Sequence, residues 1–129
     1  MILSFRQCFV PAVVAGTKPH TIRAGRRWRK GMSIQFYQDA RQKTMLKFRP
    51  DAVATAVQEI TMKHGFRVQK DDLQWPIITI DGRALAPHEM QQLAQRDGFP
   101  HCEALAKFID NAHGLPFTGQ LIHWTDLRY

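Results

Sequence analysis

The order in which two kinds of hydrophobic pattern occur constrains the fold most. Up to Gly82 the apolar residues come in short extended runs punctuated by Gly, Pro and Asp; from Pro87 they fall at helical spacing. Met32-Ser-Ile-Gln-Phe-Tyr37 alternates with period two and puts Met32, Ile34 and Phe36 on one face, which predicts a half-buried strand. Ile2 to Phe5, Thr44 to Phe48 and Phe117 to Trp124 read as further strands, as does Ala52 to Met62 on the strength of Val53, Val57 and Ile60. Pro76 to Gly82 predicts a strand ending in an Asp-Gly turn. Phe9 to Ala15 predicts a short helix that admits Pro11 only in its first turn and stops at Gly16. The next residues, Lys18 to Arg23, read as extended, because Pro19 pushes Lys18 out of the helical region. Pro87 then opens a helix with Met90, Leu93 and Ala94 on one face, closed by Asp97-Gly98. A second begins near His101, carries Leu105, Phe108, Ile109 and Ala112 on its apolar face, and ends at His113-Gly114. Strands and helices so segregated predict an α+β fold: about six short, mostly antiparallel strands in a small barrel-like sheet, flanked by two or three helices.

A chain of 129 residues fits one domain spanning residues 1–129, with a core that needs no disulfide or metal staple. The two cysteines, Cys8 and Cys102, are far apart and lack CxxC spacing, so a secreted disulfide scaffold and a cysteine-rich zinc site are both excluded and a reducing cytoplasm is expected. The longest near-apolar stretch, Phe9 to Gly16, is far short of the ~20 residues of a membrane helix. The residues before it carry no basic cluster and Pro11 interrupts it, which makes it a poor signal peptide, so Met1 is taken as the start.

Charge is more informative than hydropathy. The formal net charge is +7, but residues 1 to 50 carry eleven Lys or Arg against the single acid Asp39, a net of +10, and the remainder carries seven against ten, a net of −3. The densest point is Arg23-Ala-Gly-Arg-Arg-Trp-Arg-Lys30. Arg23, Arg26, Arg27, Arg29 and Lys30 could neutralise several phosphates of a nucleic acid while Trp28 offers a face for stacking; the alternative is a solvated basic loop with Trp28 tucked into the core.

Several familiar catalytic constellations are missing: the sequence has no GxSxG, HExxH, P-loop or GxGxxG. The six histidines lack ligand spacing and read as surface or helix-end residues, so no metal and no cofactor is expected. Cys102 beside His101 does not make a nucleophile and base, because helical neighbours face different directions. The remaining cluster is Gly16-Thr-Lys-Pro-His-Thr-Ile-Arg23, which concentrates donors at a helix-to-strand junction and outlines an anion or nucleobase pocket. A lysine in a partly apolar pocket loses its proton more readily and can act as base or nucleophile beside a hydroxyl. In a regular strand, however, Lys18 and Thr21 point to opposite faces, so they cooperate only if the chain bends at Pro19.

This cluster resembles the G-x-K-x-x-T-I-R signature of the ASCH domain family (activating signal cointegrator homology). Leu93-Ala-Gln-Arg-Asp-Gly-Phe99 resembles that family's LAxxDGF segment, and Gly114-Leu-Pro-Phe-Thr-Gly119 with Leu121-Ile-His-Trp124 its closing strand, so the likeness covers nearly the whole chain in order. It looks most like the small stand-alone members found in bacterial and phage genomes. The resemblance implies a PUA-like β-barrel (the domain of pseudouridine synthases and archaeosine transglycosylases) that binds RNA or single-stranded nucleic acid, with a nucleoside-sized cleft around Lys18 and Thr21. It also implies an alternative: a small hydrolase, either an amidohydrolase acting on N4-acylated cytidine through a Lys, a Thr and a Glu, or a ribonuclease. The lysine falls on Lys18, the threonine on Thr21 and the Glu position on Asp97, one methylene shorter. Asp97 has a second reading as a cap for the helix that starts near His101, and Arg23 reads as a phosphate clamp or the partner of an acid. Phe99 and Trp124 read as packing residues.

Overall fold

The computed structural model describes residues 1–65 and 75–129. The chain opens with β1 (Ile2–Phe5), a 3₁₀ turn (Gln7–Phe9) and α1 (Val10–Ala15), in which Pro11 lies in the first turn and Gly16 closes the helix at φ 83°. Then come β2 (His20–Ala24), β3 (Ser33–Gln38), the short β4 (Leu46–Lys47) and β5 (Ala52–Val53), and the long β6 (Ala56–Lys63). A hairpin of β7 (Ile77–Ile80) and β8 (Arg83–Ala84) turns through Asp81 and Gly82, both at positive φ, as the Asp-Gly pair predicts. Two helices, α2 (Pro87–Arg96) and α3 (Cys102–His113), precede the closing strand β9 (Phe117–His123).

The class is α+β as expected, but the strands form two sheets, and among the described residues neither closes on itself. One runs β2-β9-β6-β7-β8 and is antiparallel throughout. The other centres on β3, which pairs antiparallel with β4 and β5 but parallel with β1, a departure from all-antiparallel pairing. Strand β9 joins the two halves because successive side chains leave opposite faces: Leu121 enters the core under α2 and α3, and Ile122 the core around β1, β3 and Trp28. Ile34 and Phe36 are fully buried in the latter, as the alternation of β3 requires.

The segment from Ala52 differs from its reading. It breaks at Ala54, and the core side of β6 is Gln58, Ile60 and Met62, while Val53 is 53 % exposed. Gln58 holds a core position because it has partners inside, and Val57 on the opposite face of β6 packs against the core around β1 and β3. No described helix is long and apolar enough to cross a membrane.

Candidate functional site

Lys18 is turned inward by the end of α1. Gly16 reverses the chain, and the Lys18 backbone N–H donates to Ala12 O at 3.0 Å, so Lys18 precedes β2 and escapes its alternation. The chain turns at Gly16 and Thr17, ahead of Pro19, and Lys18 and Thr21 line one cleft. Its third member comes from the other end of the sequence. Helix α2 ends with the Phe99 N–H donating to Ala94 O and the Gly98 N–H to Gln95 O, a Schellman closure with Asp97 as the cap and Gly98 at φ 100°. A side chain at 98 would collide with the Phe9 ring, so glycine serves both the dihedral and the packing.

This closure leaves the Asp97 carbonyl at the negative end of α2, where Lys18 Nζ donates to it at 2.6 Å and to Asp97 Oδ1 at 2.9 Å. Lys18 Nζ also lies 5.2 Å from the centre of the Phe9 ring. Asp97 therefore does not cap α3; His101 does, accepting from the Ala104 N–H at 3.1 Å. Lys18 and Asp97 are almost wholly buried. Burial pushes the Lys18 ammonium down from the usual lysine range, against the pull of Asp97. Burial alone would raise the Asp97 carboxyl, but the Lys18 charge and the His20 hydrogen bond outweigh it and hold it below the usual range.

Behind this pair lies a network that the sequence did not disclose. His20 Nδ1 contacts Asp97 Oδ1 at 3.1 Å and its Nε2 contacts the Tyr129 hydroxyl at 2.8 Å. A carboxylate only accepts, so Nδ1 carries the proton, and in the neutral ring Nε2 accepts from Tyr129. His123 pairs with His20 across β2 and β9, and its Nε2 donates to Gln58 Oε1 at 2.9 Å. Gln58 in turn donates to Asp81 and to Tyr129 O. His20 and His123 are both fully buried, which corrects their reading as surface or helix-end residues. Burial, with His20 and Arg128 nearby, lowers His123 from 6.5 to about 4. The unfolded chain therefore takes up a proton between pH 6.5 and 4 that the folded chain refuses, and stability falls with pH across that window. Denaturant unfolding at pH 7 and pH 4.5 is expected to show a loss of about 2 kcal/mol that is largely absent in His123→Gln. An equal loss in the variant would rule out His123 as its source.

The cleft has a volume of about 830 Å³. Phe9, Phe99 and Phe108, with ring centres 5.2 to 6.1 Å apart, form an aromatic wall, so Phe99 packs but also faces the opening. Arg23 crosses from β2 to donate to Ser4 O of β1 at 2.5 Å. It is therefore neither free nor paired directly to an acid. The basic loop from Gly25 to Gly31 begins at the rim. Arg26, Arg27, Arg29 and Lys30 are exposed, but Trp28 is only 5 % exposed, its backbone bracketed by two hydrogen bonds to the Gln120 side chain. Trp28 is thus an anchor for the loop and offers no stacking face. Among the described residues, no group of three His, Cys, Asp or Glu side chains could hold a metal. Comparison with family models, with curated proteins and with solved structures finds no match to this chain.

Proposed function

We propose that this is a nucleic-acid-binding domain of the ASCH type, whose two sheets are the halves of a PUA-like barrel. The exposed loop Arg26 to Lys30 tracks the backbone of a single strand, RNA in the first instance, and the cleft over Lys18 and Thr21 receives one of its bases. The observation that carries this reading is the continuity of the exposed cations with an aromatic-walled cleft, since Arg27 belongs to both. Affinity for a labelled single-stranded RNA is expected to fall steeply with salt. Replacing Arg26, Arg27 and Arg29 with Gln should reduce the slope of log K against log salt by about 2, for three lost phosphate contacts at ~0.7 each. Unchanged binding in that variant would sink the idea.

A second reading is favoured by one specific observation: Lys18, Thr21 and Asp97 share this cleft, and Asp97 is not spent on capping α3. The sequence resemblance implies the same three positions in amidohydrolases acting on N4-acylated cytidine, with Asp97 where they carry Glu. In such a reaction Lys18, its proton loosened by burial, takes a proton from a water placed by the Thr21 hydroxyl, and that water's oxygen attacks the acyl carbon. The bond from carbon to the exocyclic nitrogen then breaks, and the proton held by Lys18 passes to the leaving nitrogen, giving cytidine and a carboxylic acid. Lys18 enters this step as the neutral amine, and Asp97 balances its charge while it holds the proton taken from the water. Incubation with N4-acetylcytidine tests this, and the absence of cytidine would count against it.

A further inference from the structure

The exposed loop is not where most of the cleft's own charge comes from. Arg6, Arg23, Arg27 and Arg41 line the cleft from four separate segments, in addition to Lys18, and Asp97 is the one acid among the lining residues. Asp97 is already engaged by Lys18 and His20, and among the described residues none of the four arginines forms an ion pair with a carboxylate. Two of them are braced on aromatic rings: Arg6 over Phe108 and Arg23 over Phe5, each 5.1 Å from the ring centre. Bracing of this kind leaves in-plane N–H donors for a ligand and reduces the entropy lost when one is bound.

Arg23 supplies the independent sign of a missing acceptor. Its Nη2 donates to Ser4 O, but its Nε is buried and has no partner among the described residues. A buried charged donor without an acceptor is costly, and an anionic oxygen entering the cleft would satisfy it. Arg41 is held at the mouth by an unusual backbone. Asp39 and Arg41 both adopt positive φ, 48° and 66°, which non-glycine residues seldom do. The loop keeps that shape because Asp39 Oδ2 accepts from Gln7 at 2.9 Å and from Thr44 at 2.7 Å, while the Ala40 N–H donates to Ser4 Oγ at 2.9 Å.

We infer that Arg6, Arg23, Arg27 and Arg41 form a phosphate subsite inside the cleft, so that it takes a phosphorylated nucleotide unit in preference to a neutral nucleoside. This rests on the reading of the cleft as a base-binding site and narrows its substrate class. The subsite is distinct from the outer track: Arg6 and Arg41 lie far from the basic run in sequence, and only Arg27 serves both.

Calorimetric titration with cytidine and with cytidine 5′-monophosphate tests it. The monophosphate is expected to bind at least about tenfold more tightly, the effect of one charge-assisted contact. Arg23→Gln should erase most of that difference, and because this variant also loses the Ser4 contact, Arg41→Gln, whose side chain is exposed, provides the check that does not disturb packing. Equal affinities for the two ligands, no binding of the monophosphate, or an undiminished preference in Arg41→Gln together with Arg23→Gln would overturn the subsite. Strand binding by the loop, measured separately, would still decide the broader reading.

Discussion

Asp97→Ala will be the most destabilising single substitution at this site, by about 3–5 kcal/mol in denaturant unfolding at pH 7. It strands the Lys18 ammonium in a buried slot whose remaining compensation is the Asp97 backbone carbonyl and the Phe9 face, and it removes the acceptor of His20. Breaking a buried pair from one side costs more than the pair itself contributes, because the surviving charge keeps its desolvation penalty. The double variant Lys18→Met with Asp97→Ala should therefore be more stable than Asp97→Ala alone. Linkage gives the sign with pH. The folded-state carboxyl titrates below its unfolded value, so its contribution is present above the ordinary Asp range and is lost as pH falls through the depressed folded value. Asp97→Ala should lack that part of the acid limb. A cost under about 1 kcal/mol would mean that the pair is solvated and that the site is looser than the distances indicate.

Lys18→Met will abolish whatever amide hydrolysis the wild-type protein performs on N4-acetylcytidine, by about 10²–10⁴-fold, the usual worth of a positioned base. Methionine keeps most of the stem and the volume, so loss of rate is read on a protein whose folding is checked in parallel by thermal unfolding. Lys18→Arg separates charge from proton transfer: the guanidinium stays cationic and can balance Asp97, but it cannot lose a proton in the accessible pH range. Hydrolysis is expected to be lost in both variants. Rate retained in Lys18→Arg would assign Lys18 an electrostatic role, and rate retained in Lys18→Met would remove it from the chemistry.

Much of this arrangement was legible in the sequence because it depends on local rules. Gly16 and Gly98 end helices at positive φ, and β3 alternates because one face is buried. The cluster around Lys18 and the Asp97-Gly98 turn could be named on that basis, while the pairing of Asp97 with Lys18 and Thr21 was implied only by the family resemblance; Lys18 and Asp97 line the same cleft. What could not be read is which distant polar groups satisfy one another. His20, Gln58 and His123 occupy buried positions because β2, β9 and β6 lie side by side, and that adjacency is set by tertiary pairing over tens of residues. A histidine at the end of a strand carries no local mark of its partner. The sequence left Trp28 between a stacking face and a core anchor for a related reason: the charges around it are solvated, and only the packing of Gln120 and the core beneath shows that the ring turns inward. The parallel pairing of β1 with β3 was equally hidden, since a strand's neighbour is not written in its own periodicity.

Where a strand places its base can be measured directly. A single-stranded RNA carrying one 4-thiouridine, irradiated in complex with the protein and followed by mass spectrometry, reports the residues in contact with that base. Adducts on Phe9, Phe99 or Phe108, the aromatic wall of the cleft, are the expected result, together with their suppression by excess nucleotide. Adducts confined to the loop from Arg26 to Lys30, or scattered over the surface with no cleft residue among them, would contradict a base-binding cleft.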